Sequence, residues 1–226
     1  MKTQAIIPTA GVGSRIKSTV IKSLLKVNGK PLFVYALQVF ERCPSVDSVI
    51  LVVHRQHLKE FEKNVKKYGL SKVRKIVIGG ATRRESVKNA IAVLDPDTDI
   101  VLVHDGVRPL VSVALVENAV RACKRSGAVI AAMPAKATMK RVNLKDMTVR
   151  GTIPRREMWE VQTPQVFKRA ILEKAHRRAG GQDATDDALL VEKIGVPVKV
   201  IEGSYRNIKV TTREDLLFVK HLIRRQ

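Results

Sequence analysis

Cysteine is nearly absent. Cys43 and Cys123 stand far apart, each at or near the end of a predicted helix, with no metal-ligand spacing around either. That excludes a disulfide framework and a thiolate metal centre, and two reduced, packed thiols are expected. Aromatic residues make up only 4% of the chain, a poor supply for stacking bases, which argues against a nucleic-acid-binding module. No apolar run approaches the roughly 20 residues of a membrane span. The opening residues Met1-Lys2-Thr3-Gln4 lead straight into a predicted strand, so no signal peptide is read and a cytoplasmic location is expected. Catalytic signatures are scarce too. GxxxxGK[ST] is missing, Gly11-Val12-Gly13 lacks the third glycine of the dinucleotide fingerprint, and neither a nucleophile elbow nor a metal-binding His/Cys spacing occurs.

Negative charge is also short, with 21 Asp+Glu against 42 Lys+Arg, a net charge of +21. Such a chain prefers anionic partners, and nucleic acid, an acidic membrane surface and small phosphorylated substrates all fit. The basic residues are spread along the chain with only short clusters, such as Lys72-Val73-Arg74-Lys75. That dispersion is read as a solvated surface rather than a binding stripe. With 45% hydrophobic residues in 226, the chain can bury a real core, and one domain with an appendage is the simplest division.

What is present alternates. Strands are predicted at 5–8, 49–53, 73–78, 100–103, 128–133, 198–201 and 207–210. Helices are predicted from Pro31, from Gln56 to about Tyr68, and at 84–94, 113–125, 168–178, 184–194 and 213–225. The runs near 50 and 100 are continuously apolar, as in strands covered on both faces. This order predicts an α/β fold, a doubly wound, mostly parallel sheet. The alternation breaks at 136–162, a polar segment with β-like pieces at 139–142 and 148–153 and apolar anchors at Thr152-Ile153-Pro154 and Val161. It is read as an extended β-arm.

Ligands in open α/β sheets bind beyond the carboxyl ends of the strands, and the residues there suit phosphate chemistry. After the first strand, Pro8-Thr9-Ala10-Gly11-Val12-Gly13-Ser14-Arg15 is a loop of small residues that runs into cations, with Lys22 beyond. Its glycines let backbone N–H groups approach phosphate oxygens, and Arg15 and Lys22 would neutralise what the amides cannot. After the third strand, Gly79-Gly80-Ala81-Thr82-Arg83, with Ser86 following, leaves room for a flat base. After the fourth, His104-Asp105-Gly106-Val107-Arg108-Pro109 sets a carboxylate beside a buried strand, suited to a metal or a ribose hydroxyl. His104 is read as a packing histidine. Glycine loops, one carboxylate and several cations favour positioning and charge stabilisation over covalent catalysis.

These motifs, with Thr138-Met139-Lys140-Arg141, Gln162-Thr163-Pro164-Gln165, Thr185-Asp186-Asp187-Ala188 and the run from Glu202 to Thr211, resemble the 2-C-methyl-D-erythritol 4-phosphate cytidylyltransferases over nearly the full length. The resemblance implies a Rossmann-like nucleotidyltransferase that uses CTP, Mg²⁺ and a sugar-alcohol phosphate. It implies that Arg15 and Lys22 stabilise the transition state. Thr9, Ala10, Gly11 and Gly13 would hold the triphosphate and Gly80, Ala81 and Ser86 the cytosine. Asp105 and Gly106 would face the ribose and metal. Arg108, Thr138, Arg155, Thr163, Thr185 and Lys209 would bind the acceptor, with Arg155 reaching across from the partner of a homodimer joined through the arms. A ribitol 5-phosphate cytidylyltransferase shares most of these motifs and is the neighbouring reading. Val107, the Ile21 and Ser23 flanks of Lys22, and Arg206 depart from the residues most often found there in the family.

Overall fold

The computed structural model describes residues 1–10, 21–180 and 184–224. Gly11, Gly13 and Arg15 lie outside them. In chain order the elements are β1 (Lys2–Pro8), the short pair β2 (Lys26–Val27) and β3 (Lys30–Pro31), α1 (Leu32–Arg42), β4 (Ser48–Val53), α2 (Leu58–Lys67), β5 (Val73–Ile78) and α3 (Arg83–Ile91). Then come β6 (Thr98–Val103), α4 (Val113–Ser126), β7 (Ala128–Pro134), β8 (Met139–Asn143), β9 (Thr148–Ile153) and β10 (Trp159–Lys168). The last are α5 (Arg169–Arg178), α6 (Asp187–Lys193), β11 (Lys199–Glu202) and α7 (Arg213–Ile223). No helix among the described residues is long and apolar enough to cross a membrane.

Seven strands form one sheet in the order β11-β7-β10-β6-β1-β4-β5. All are parallel except β10, which runs antiparallel to both β6 and β7. The central strands are continuously apolar because alternate residues enter opposite cores. Ala5, Ile7, Val49, Leu51, Val53, Ile100 and Leu102 pack on the side of α1 and α4. Ile6, Ile50, Val52, Val101 and Val103 pack on the side of α3, α5 and α6. The helices end where local chemistry stops them. Gly127, at φ +84°, closes α4 in a conformation that a side chain disfavours.

The topology positions a site before any side chain is considered. From β1 the chain winds to β4 and β5, then crosses to β6 on the other side of β1. The carboxyl ends of β1 and β6 therefore flank a topological switch point, where a crevice must open.

Three expectations need correction. The stretch from 159 to 162, assigned to the arm, belongs to the central sheet as the start of β10, a strand the sequence pattern did not reveal. Its interior carries Gln162, Thr163, Pro164 and Gln165, whose polarity masks a buried strand. Partners satisfy them instead of water: Gln162 Nε2 donates to the Ser204 carbonyl at 2.9 Å and Gln165 Nε2 to Asp186 at 2.8 Å. The strand expected at 207–210 is irregular backbone. There the Asn207 amide donates to the Thr163 carbonyl at 2.7 Å, and the Val210 N–H to the Val107 carbonyl at 2.9 Å, so the segment is tied to loops rather than to a ladder. Pro31 ends β3 and caps α1 instead of opening it from within. The arm itself is the hairpin of β8 and β9, which pair with each other and, among the described residues, with no third strand. Leu144 and Met147 at its tip are 83% and 72% exposed.

Candidate active site

Thr9 follows β1. Its N–H and hydroxyl both donate to the Val52 carbonyl, at 2.8 and 2.6 Å, which pins the loop against β4. Gly106, after β6, packs against that loop so closely that a Cβ would come 2.5 Å from Thr9 Cγ2. Only glycine lets the two strand ends meet at the switch point. Lys22 opens a single 3-10 turn, Lys22–Leu24, and its ammonium donates to the Thr211 carbonyl at 2.9 Å. A small apolar cluster of Val27, Leu32, Leu110, Val210 and Val219 seats that neighbourhood under α7. The loop before α3 is held by a capping box in which Thr82 and Glu85 bond reciprocally. Glu85 also accepts from the Ala81 N–H at 2.7 Å, and the Gly80 N–H donates to the Ser86 hydroxyl at 3.1 Å.

These pieces enclose a cavity of about 340 Å³, lined by Thr9, Ala10, Lys22, Gly80, Ala81 and Ser86 among others, with Asp105 its one carboxylate among the described residues. A second cavity of about 250 Å³ holds Arg108, Gln162, Thr163, Thr185 and Asp186. Arg83, Asp105 and Lys209 line both.

Asp105 is the electrostatic centre. Lys209 Nζ lies 2.8 Å from Oδ2, Arg83 Nε 3.5 Å from Oδ1 and Arg108 Nε 3.7 Å from Oδ2. Burial alone would raise its carboxyl. The nearby charges of Arg83, Lys209 and Arg108 outweigh that and hold it well below the usual carboxylate range. Arg108 is pulled down by burial, and its guanidinium donates to the Asn207 carbonyl at 2.7 Å. His104 is fully buried, and burial pulls it down to about 4, so it is neutral at pH 7. Its Nδ1 lies 3.0 Å from the Thr163 hydroxyl, which accepts the Asp105 N–H at 3.1 Å, and its Nε2 lies 3.2 Å from the Arg108 carbonyl. The tautomer that satisfies every partner carries its proton on Nε2. His104 thus braces the wall from behind and does not face either cavity.

Of the expected site residues, Thr9, Ala10, Lys22, Gly80, Ala81, Ser86, Asp105 and Lys209 come together on the first cavity. Arg108, Thr163 and Thr185 line the second. Gly106 lies behind the wall, packed on Thr9. Thr138 and Arg155 are exposed at the root of the arm and line neither cavity; the Arg155 guanidinium donates to the Lys136 carbonyl at 2.9 Å. The sequence pattern shows Arg83 only within a small-residue loop and Asp187 only within the Thr185-Asp186-Asp187-Ala188 motif, and it gives His176 no role. Arg83 Nη1 lies 2.7 Å from Asp187 Oδ2, and His176 Nε2 lies 3.0 Å from Asp187 Oδ1. No spacing rule reveals a pair 104 residues apart.

A mostly parallel sheet with a cation-rich, small-residue crevice at its switch point is the architecture of a nucleotidyltransferase. The chain matches the 2-C-methyl-D-erythritol 4-phosphate cytidylyltransferase family over residues 3–225. It is 43% identical over 219 residues to the protein of that name from Alkaliphilus metalliredigens (96% of this chain, 90% of the relative) and 39% identical over 228 residues to that from Syntrophus aciditrophicus (100% and 97%). The crystal structure of 4-diphosphocytidyl-2C-methyl-D-erythritol synthase from Anaerococcus prevotii superposes with a TM-score of 0.86 at 32% identity, over 99% of this chain and 96% of that one. The chain belongs to the 2-C-methyl-D-erythritol 4-phosphate cytidylyltransferase family.

Proposed function

We propose that this chain transfers a cytidylyl group from CTP to 2-C-methyl-D-erythritol 4-phosphate, giving 4-diphosphocytidyl-2-C-methyl-D-erythritol and pyrophosphate. The observation that carries this reading is the shared wall. Two cavities meet at Arg83, Asp105 and Lys209, as a reaction joining two phosphorylated substrates requires. CTP takes the first cavity, its base near Gly80, Ala81 and Ser86 and its triphosphate near Thr9 and Ala10; the family resemblance assigns Gly11 and Gly13, which lie outside the described residues, to the triphosphate as well. The acceptor phosphate takes the second, against Arg108, Thr163, Thr185 and Lys209. An acceptor phosphate oxygen attacks the α-phosphorus, a new P–O bond forms, and the bond to the departing pyrophosphate breaks. The nucleophile is already an anion, so no general base is needed. Arg15 and Lys22 act on the charge of the five-coordinate transition state, where preorganised cations have most effect.

Magnesium would find one carboxylate in the first cavity among the described residues, Asp105, which Lys209, Arg83 and Arg108 already face, so it would bind together with the triphosphate rather than before it. The described residues offer no cluster of three or more His, Cys, Asp or Glu, and Mg²⁺ needs only one or two carboxylates when phosphates and water complete its shell. Asp105 would hold it. Bound there it supplies neutralisation of triphosphate charge. The enzyme works in the cytoplasm as a homodimer. Buried, unpaired Cys43 and Cys123 support the first point. The exposed hairpin of β8 and β9, with Arg155 and Thr138 at its root and apolar residues at its tip, supports the second.

Pyrophosphate release with each common nucleoside triphosphate and each sugar phosphate tests the reading. Turnover is expected with CTP and methylerythritol phosphate, and activity on ribitol 5-phosphate alone would overturn it. Arg155→Ala is expected to raise KM for the acceptor roughly 10- to 100-fold, since a charge-assisted phosphate contact contributes about 1.5–3 kcal/mol, with KM for CTP little changed. An acceptor KM that does not move would remove the clamp.

A further inference from the structure

Arg83 occupies the junction of the two cavities with a carboxylate on either side. It is the first residue of α3, between the capping-box residues Thr82 and Glu85, so its backbone is fixed. Nη1 meets Asp187 Oδ2 at 2.7 Å and Nε faces Asp105 Oδ1 at 3.5 Å. Asp187 is anchored in turn: its side chain is 1% exposed, His176 Nε2 lies 3.0 Å from its other oxygen, and its N–H donates to Gln165 Oε1 at 3.2 Å. The opposite face of Asp105 is different. Lys209, 2.8 Å from Oδ2, has a side chain 42% exposed, against 23% for Arg83. Exposed ammonium pairs are weakly held, and a phosphate oxygen entering either cavity competes directly for Lys209.

We propose that Arg83 is a positioning residue for the transfer reaction: held from behind by Asp187, it keeps Asp105 in place in the dividing wall while Lys209 exchanges Asp105 for a substrate phosphate. The proposal rests on the cytidylyl-transfer reading above. Without Arg83 the Oδ1 side of the carboxylate would lose its cation, and Oδ2 would keep Arg108 at 3.7 Å beside Lys209, the cation that substrate draws away. Arginine suits the task because its planar fork addresses two carboxylates along two fixed directions, which a single ammonium cannot reproduce.

Arg83→Lys and Asp187→Asn test it, singly and combined, in the full-length protein with wild type alongside. Each single variant is expected to lose at least about tenfold in kcat, as a displaced catalytic group does, while KM for CTP stays within about threefold. Because both act through one contact, the double variant is expected to be little worse than the poorer single one. Guanidinium ion in the assay is expected to restore part of the turnover of Arg83→Ala and none of that of Asp187→Asn. A folded Arg83→Lys enzyme with wild-type kcat, fully multiplicative losses, or no guanidinium rescue would overturn the positioning role. Should Arg83→Lys fail to fold, Asp187→Asn decides alone, and an undiminished kcat there overturns the proposal. A wild-type enzyme that releases no pyrophosphate from CTP and methylerythritol phosphate removes the underlying reading instead.

Discussion

Lys22→Ala is expected to lower kcat by roughly 10²–10³-fold in a protein that still folds, the range seen when one preorganised group is taken from a developing negative charge. The preorganisation is visible. Lys22 is only 8% exposed. Its turn is closed by Leu24 N–H to the Ile21 carbonyl at 2.9 Å and Leu25 N–H to the Lys22 carbonyl at 3.1 Å, and its ammonium is held by Thr211 at 2.9 Å. A lysine already desolvated and aimed loses little further entropy when the transition state forms, so its effect should fall on kcat more than on KM. The cost to the fold includes the charge-assisted hydrogen bond to the Thr211 carbonyl, about 1.5–3 kcal/mol. For a chain of this size that lowers Tm by several degrees, leaving a cooperative transition. Steady-state kinetics beside a thermal melt checks both halves. Near-normal kcat in the folded variant, or a loss confined to KM for CTP, would place Lys22 outside the reacting centre.

The sequence made the scaffold legible because the central strands are buried on both faces. Unbroken apolar runs such as Val49 to Val53 have no competing interpretation once turn residues bound them. Gly127 at the end of α4 was readable for the same local reason. β10 was not, because its buried interior is Gln162-Thr163-Pro164-Gln165, and hydrophobic periodicity is blind to a strand whose polar groups find partners from distant loops. The 207–210 segment misled in the opposite sense. Ile208 and Val210 alternate like a strand, but that apolar pattern serves the cluster under α7. In the site, the loops after β1, β5 and β6 could be placed together from topology alone. The wall that joins the cavities could not. Arg83, Asp105 and Asp187 come from three separate elements, and their pairing exists only in the folded geometry.

Asp105→Asn should act on activity and stability together, and the two effects have one cause. The carboxylate is 6% exposed and ringed by Arg83, Arg108 and Lys209. Replacing it by a neutral amide leaves cations facing one another. Arg83 retains Asp187, and Lys209 can turn to solvent, so the strain concentrates on Arg108, whose remaining partners are neutral carbonyls of Asn207 and Val161. Removing one partner of a buried pair costs up to about 3–5 kcal/mol, and the exposure of Lys209 puts the expected loss in urea unfolding at pH 7 toward the lower end. The loss should vanish in acid. Because the Asp105 carboxyl is depressed in the folded state, its contribution is complete above its unfolded value near pH 4 and disappears as pH falls toward the folded one. Wild type should therefore lose stability more steeply than the variant below about pH 4, and the two curves should converge. Activity at neutral pH is expected to fall about 10²-fold in kcat/KM as the carboxylate shared by the two cavities loses its charge. Parallel stability curves across the acid range would show that the three cations do not depend on this carboxylate, and full activity would exclude it from the chemistry.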